Sequence, residues 1–135
     1  MIKKIHHIGI AVKNMDETVK LYSKMLGAKP VSTMEIPGAR IKIANFKVGE
    51  TALEFLEGPA GSSMADFIAA KGEGLHHIAV EVDDIAAELK KLAAAGVALK
   101  DKEARPGPEG KIAFVGPEGA HGVTIELVQP NKKGK

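Results

Sequence analysis

The sequence predicts an α+β fold built from two βαβββ modules, because three patterns occur twice along the chain. Residues 6–12 (HHIGIAV) return seventy positions later as residues 76–82 (HHIAVEV). Residues 53–56 (LEFL) return seventy-two positions later as residues 125–128 (IELV). An apolar stripe with intervals of 4, 3 and 4 follows each histidine motif. Internal repetition of this kind indicates one structural unit used twice.

Each histidine motif is predicted to be a β-strand because its side chains alternate. In the first copy, Ile8 and Ile10 share one face of an extended chain, whereas His7 and Gly9 lie on the other. The second copy repeats this arrangement. A histidine followed by small residues on its own face suits a concave surface with room for a ligand.

A helix is predicted after each of these strands. The first apolar stripe consists of Met15, Val19, Tyr22 and Leu26, and the second of Ile85, Leu89, Leu92 and Gly96. Asn14 with Glu17 three positions later is typical of a capping box, and Gly27 is placed to end the helix. Asp83 or Asp84 can cap the second helix.

Three further strands complete each module. They are predicted at 29–36, 39–48 and 51–57 in the first module, and at 97–103, 111–116 and 122–129 in the second. We interpret residues 1–135 as a single domain. Its parts are a first module over 1–57, a linker with a short helix over 58–75, and a second module over 76–135.

Composition excludes several classes of protein. A net charge of +2 and an aromatic content of 4% give no basic, aromatic surface for nucleic acid. No apolar run reaches the roughly 18–20 residues that cross a membrane. The absence of cysteine excludes disulfides and thiolate ligands and favours a cytoplasmic protein. The basic tail formed by Lys132, Lys133 and Lys135 is interpreted as a solvated end.

The two repeats carry one histidine and one glutamate each, and together they predict a metal site. His7, Glu54, His77 and Glu126 all fall on predicted strands. Two imidazoles and two carboxylates suit a borderline divalent ion, and the two carboxylates would neutralise its charge. The alternative is that these are exposed edge glutamates and core histidines. Repetition of both pairs in register favours the metal site, held in the cleft of an incomplete, barrel-like mixed sheet.

At these residues the chain resembles the vicinal oxygen chelate superfamily, and within it the methylmalonyl-CoA epimerase family. The matching stretches are 5–12, 53–57, 72–82, 110–115 and 122–127. This resemblance implies an isomerase that removes and returns a proton at C2 of methylmalonyl-CoA through a chelated enolate. It implies His7, Glu54, His77 and Glu126 as metal ligands, and Glu126 and Glu54 as catalytic groups. It also implies an acyl-CoA substrate and a homodimer. Co²⁺ is the first expectation for the ion, with Ni²⁺, Mn²⁺ and Zn²⁺ as alternatives.

Two departures from the family leave other substrates open. The segment 38–43 lacks the second glutamate base of some epimerases, and Glu35, Lys42 or Glu54 are candidates to replace it. Gly116-Pro117 stands where epimerases commonly have His-Pro. For the coenzyme A phosphates, the basic candidates are Arg40, Lys42 and Lys111. The alternatives are a lactoylglutathione lyase or another metal-dependent isomerase, and a metal-free protein that sequesters a ligand.

Overall fold

The computed structural model describes residues 1–131, so the basic tail of Lys132, Lys133 and Lys135 lies outside the described residues. The chain divides into two compact units. The first, called here the N-terminal unit, is His7–His76. The second, the C-terminal unit, combines Met1–His6 with the chain from His77 onward. Within residues 1–131, no helix is long and apolar enough to span a membrane.

The first set of elements runs in the order βαβββ. It comprises β1 (Ile2–Ala11), α1 (Met15–Leu26), β2 (Ser32–Ile36), β3 (Ile41–Val48) and β4 (Thr51–Glu57), and α2 (Ser63–Lys71) follows. The strand order is β2-β3-β4-β1. β1 pairs with β4 in parallel, whereas the other neighbours are antiparallel. The first and last strands of the module are therefore neighbours.

The second set repeats this order and pairing. It comprises β5 (Gly74–Val82), α3 (Ile85–Ala94), β6 (Arg105–Pro106), β7 (Gly110–Val115) and β8 (Ile125–Pro130), with a 3₁₀ turn at Pro117–Ala120. The strand order is β6-β7-β8-β5, with β5 and β8 parallel. The α+β class and the two βαβββ modules predicted from the repeats are confirmed.

One face of each set of strands is covered by its helix. In the N-terminal unit, α1 packs on a buried cluster of Val12, Met15, Ala44, Phe46 and Phe55. In the C-terminal unit, the corresponding α3 cluster is Val82, Ile85, Leu89, Ala113 and Leu127. Burial of the apolar side chains in these clusters is the main contribution to the stability of each unit. His7 and His77 lie on the other face, with Ala11 and Ala79, and this is called the site face below.

The prediction of a strand at 97–103 is wrong. Between α3 and β7, only Arg105–Pro106 pairs as a strand. The backbone N–H groups of Lys100 and Asp101 both donate to the carbonyl of Phe114, at 3.1 and 3.0 Å. The Asp101 carboxylate accepts a hydrogen bond from the Phe114 N–H at 2.8 Å. A side chain thus takes the place of the ladder partner, and the segment runs beside β7 without forming a strand.

The helix ends follow the predicted caps. The Asn14 side chain accepts from the Glu17 N–H at 3.0 Å, and Gly27 ends α1 with φ of 64°. Asp84 caps α3 through the Ala87 N–H. Asp83 instead accepts from the Met1 amino group at 2.8 Å.

The Met1 amino group also bonds to Glu88, a buried carboxylate of α3, at 2.6 Å. The hydrogen bonds to Asp83 and Glu88 raise the pKa of the amino group above 8.0. The same ammonium lowers the pKa of Glu88 below 4.5. A lowered carboxyl pKa stabilises the fold above the unfolded pKa, and a raised amine pKa stabilises it below. The contribution of this ion pair is therefore greatest between about pH 4.5 and 8.

We expect Glu88→Gln to lower Tm by a few degrees at pH 6 to 7, because the ammonium loses its buried partner. The difference from wild type should shrink as pH falls through the folded pKa of Glu88, and again as pH rises through that of the amine. Thermal denaturation followed by circular dichroism across pH 3 to 10 measures this. Glu17→Gln removes the same charge from the exposed first turn of α1 and serves as control. Equal pH profiles for the two variants would refute the prediction.

Candidate metal centre

The first histidine–glutamate pair lies within the N-terminal unit, on the neighbouring strands β1 and β4. Their parallel register places Gly9 beside Glu54 and Ala52 beside His7. His7 Nε2 lies 3.4 Å from Glu54 Oε1. Both residues are buried, with 1% and 5% of their surface exposed. Gly9, the small residue that follows His7 on the same face of the strand, is therefore the neighbour of the Glu54 carboxylate.

The second pair repeats this arrangement within the C-terminal unit. The parallel register of β5 and β8 places Ala79 beside Glu126. His77 Nε2 lies 3.0 Å from Glu126 Oε1. Their exposed fractions are 7% and 5%. The same two atom types thus face each other in both units, at similar distances and in the same register.

The donor set of each pair fits a divalent cation. Donors at right angles around an ion, with bonds of about 2.1 Å, are about 3 Å apart. The separations of 3.4 and 3.0 Å match this spacing. Burying a carboxylate is costly unless it is paired or coordinates a metal. Glu54 and Glu126 are both buried beside an imidazole, which is the arrangement expected of metal ligands.

The strand register of the N-terminal unit places the candidates for a second proton-transfer group on different faces of the strands. Lys42 pairs with Glu35 on β2 and with Glu57 on β4. The Glu57 carboxylate accepts from the N–H of Met15, the first residue of α1. Lys42 is two residues from Ala44, which belongs to the cluster under α1, so alternation along β3 puts both side chains on the same face. Lys42 and its neighbour Glu35 therefore lie on the helix-covered face, whereas Glu54 is on the site face.

The residues opposite the two glutamates differ, and neither is predicted by the sequence repeats. Asn45 of β3 is directly opposite Glu54, and its Nδ2 donates to Ser32 Oγ at 3.2 Å. Phe114 of β7 is directly opposite Glu126. The Phe114 ring meets the His77 imidazole nearly edge-on, with centroids 6.1 Å apart. One pair is flanked by amide and hydroxyl groups, and the other by an aromatic ring.

Three other polar side chains, those of His76, Glu81 and His121, take part in neither histidine–glutamate contact. His76 is half-buried and packs on Phe67 of α2, at 4.6 Å between ring centroids. His121 is exposed at the end of the 3₁₀ turn, with φ of 54°. Glu81 is half-buried and forms a long ion pair with Lys4 at 4.0 Å. His76 therefore contacts α2, and Glu81 contacts β1.

Comparison with known families identifies the fold. Residues 6–115 match the model of the glyoxalase/bleomycin resistance protein/dioxygenase superfamily. The chain belongs to this superfamily. Membership agrees with the duplicated modules and with the repeated histidine–glutamate pair.

Individual relatives narrow the resemblance within the superfamily. Human mitochondrial methylmalonyl-CoA epimerase is 31% identical, over 93% of this chain and 73% of its own. A solved methylmalonyl-CoA epimerase, in complex with methylmalonyl-CoA and NH₄⁺, superposes with a TM-score of 0.87 at 32% identity, covering 96% of each chain. An uncharacterized Bacillus subtilis protein, YqjC, is 34% identical over 96% of this chain and 94% of its own. The resemblance to methylmalonyl-CoA epimerases that the sequence predicts is therefore confirmed. These relatives are isomerases.

Removal of one imidazole should weaken divalent-ion binding. We expect His77→Ala to reduce the affinity for Co²⁺ by at least roughly tenfold, because a buried donor is lost. Calorimetric titration of chelator-treated protein with CoCl₂ measures the affinity. His121→Ala removes an exposed imidazole from the same unit and should bind Co²⁺ as wild type does. Equal affinities for all three proteins would contradict the assignment of His77.

Proposed function

We propose that this protein is a methylmalonyl-CoA epimerase, which interconverts the (R) and (S) epimers by moving the proton at C2. The observation that carries the proposal is the pair of buried histidine–glutamate contacts, 3.4 and 3.0 Å long, built in the same register in each unit. Relatives and solved structures named methylmalonyl-CoA epimerase support it at about 31–32% identity.

We propose further that His7, Glu54, His77 and Glu126 together hold one divalent ion, with Co²⁺ as the first choice. Two glutamates balance the charge of the ion, which lowers the cost of keeping it among buried side chains. When bound, the ion would act as a Lewis acid that favours negative charge on the substrate's carbonyl and carboxylate oxygens. Four protein donors would leave positions open for substrate if the coordination is octahedral.

Glu126 and Glu54 are the proposed proton-transfer groups. Epimerisation requires that one group removes the C2 proton and another returns a proton to the opposite side of the planar enolate. The duplication supplies two buried carboxylates of this kind, one in each unit. The positions of Glu35 and Lys42 on the face covered by α1 favour Glu54 over them as the second group. Each carboxylate has one oxygen facing an imidazole, and a carboxylate carries a second oxygen that can accept the proton.

Deuterium exchange tests the chemistry directly. In D₂O, the wild-type protein loaded with Co²⁺ should introduce deuterium at C2 of methylmalonyl-CoA, and chelation should abolish this. Glu126→Gln should lower kcat about 10²- to 10⁴-fold, the usual contribution of general acid–base catalysis. Glu35→Gln, which alters a carboxylate on the opposite face, should leave kcat within about twofold. Mass spectrometry of the thioester measures incorporation.

The same preparation distinguishes the alternative functions. A lactoylglutathione lyase would convert methylglyoxal and glutathione to a thioester, seen as rising ultraviolet absorbance, and would leave methylmalonyl-CoA undeuterated. A ligand-sequestering protein would retain tight ligand binding after exhaustive chelation. Calorimetry should give one Co²⁺ per chain if the two pairs share an ion. Two ions per chain would reject the shared site while leaving the two pairs as ligands.

A homodimer and a cytoplasmic location remain predictions from the resemblance and the sequence. β2 is the outer strand of the N-terminal unit, and Met34 on it is 43% exposed. Outer strands with exposed apolar residues are commonly covered by a partner. We expect light scattering to give twice the chain mass of 14.2 kDa. A mass of one chain at micromolar concentration would reject the dimer.

A further inference from the structure

The two site faces carry equivalent ligands, but their surroundings are not equivalent. Two residues beyond Glu54, Leu56 pairs with Ile43, and Ile43 pairs with Met34 of the outer strand β2. Two residues beyond Glu126, Val128 pairs with Ile112, and Ile112 pairs with Arg105 of the outer strand β6. Met34 and Arg105 are therefore equivalent positions on the two site faces. The C-terminal unit thus has the guanidinium of Arg105 at the position where the N-terminal unit has the thioether of Met34.

Arg105 is held on the site face by two contacts. Its guanidinium carbon lies 5.4 Å from the centroid of the Phe114 ring, a cation–π distance. Its Nε lies 3.5 Å from Asp101 Oδ2. The same Asp101 oxygen accepts a hydrogen bond from the Phe114 N–H, so the carboxylate is itself fixed by the backbone. The Phe114 ring therefore contacts both Arg105 and His77.

The guanidinium remains accessible despite these contacts. Its side chain is 52% exposed, whereas the Asp101 side chain is 21% exposed. The contact with Asp101 is made through Nε, and a guanidinium has five N–H donors in a planar fork. A fork of this kind suits carboxylate and phosphate oxygens, which it can bind with two parallel hydrogen bonds.

We propose that Arg105 binds an anionic group of the substrate and so fixes which end of the substrate lies over the C-terminal unit. This inference rests on the proposed function for the identity of the substrate, an acyl-CoA thioester. Such a substrate carries anionic oxygens on the malonyl carboxylate and on the coenzyme A phosphates. Met34, at the equivalent position of the N-terminal unit, carries no charge. The orientation of the substrate would therefore be set by Arg105 in the C-terminal unit alone.

The test compares Arg105→Gln with a matched control in the same unit. Lys90→Gln removes an equal charge from an exposed position of α3, the helix that covers the opposite face of the strands. We expect Arg105→Gln to raise KM for methylmalonyl-CoA about tenfold or more, with kcat within about threefold. Lys90→Gln should change KM by less than about twofold. Arg105→Lys should fall between, because it keeps the charge but loses the planar fork.

Two substrates identify which anionic group is bound. Methylmalonyl-pantetheine keeps the malonyl carboxylate but lacks the nucleotide phosphates. If the KM penalty of Arg105→Gln persists with it, the carboxylate is the partner, and if the penalty disappears, the phosphates are. Equal KM for Arg105→Gln and Lys90→Gln on both substrates would overturn the inference. Equal Tm for these two variants shows that any difference does not come from misfolding.

Binding measured without turnover separates this inference from the proposed function. Calorimetry gives the Kd of methylmalonyl-CoA for wild type and both variants. A binding loss of about tenfold in Arg105→Gln supports the inference even if wild type exchanges no deuterium, in which case only the proposed epimerisation fails. No binding by wild type, or an unchanged Kd in Arg105→Gln, overturns the role of Arg105.

Discussion

Parallel pairing of the first and last strands of each module is the constraint on which the site depends. It brings a histidine from β1 or β5 beside a glutamate from β4 or β8, although the two are 47 or 49 residues apart in sequence. Parallel strands cannot be joined by a tight turn, so the intervening helix and hairpin are required for this contact. The helix then covers the opposite face and leaves the histidine face for chemistry.

Burial gives these pairs their chemical properties. A carboxylate withdrawn from water interacts strongly with nearby charge, and an imidazole at about 3 Å gives it a polar neighbour. Gly9 and Ala79 stand beside the two glutamates and add almost no side-chain volume there. The apolar clusters under α1 and α3 hold the strands in position. Rigid strands with packed reverse faces are a suitable support for a site that must hold donors at fixed distances.

Duplication repeats the histidine–glutamate pair, whereas the proposed substrate is asymmetric and would require asymmetric surroundings. The strands next to the glutamates meet this requirement. Asn45 with Ser32 makes one environment neutral and polar. Phe114 with Arg105 makes the other aromatic and cationic. The proposed metal ligands are thus repeated, and the residues that would bear on substrate orientation are not.

The sequence by itself determined the modules, the helices with their caps, and the two histidine–glutamate pairs, because each depends on local periodicity or on repetition. Tertiary structure alone decided which residues oppose the glutamates. Two residues, 49–50, connect β3 to β4, whereas nine, 116–124, connect β7 to β8. Asn45 therefore precedes its glutamate by nine positions and Phe114 by twelve, and no repeat links them. The wrong strand at 97–103 has a similar origin, since the Asp101 side chain replaces a ladder contact. Hairpin register and side-chain bonds to the backbone arise from the folded chain, and periodicity does not encode them.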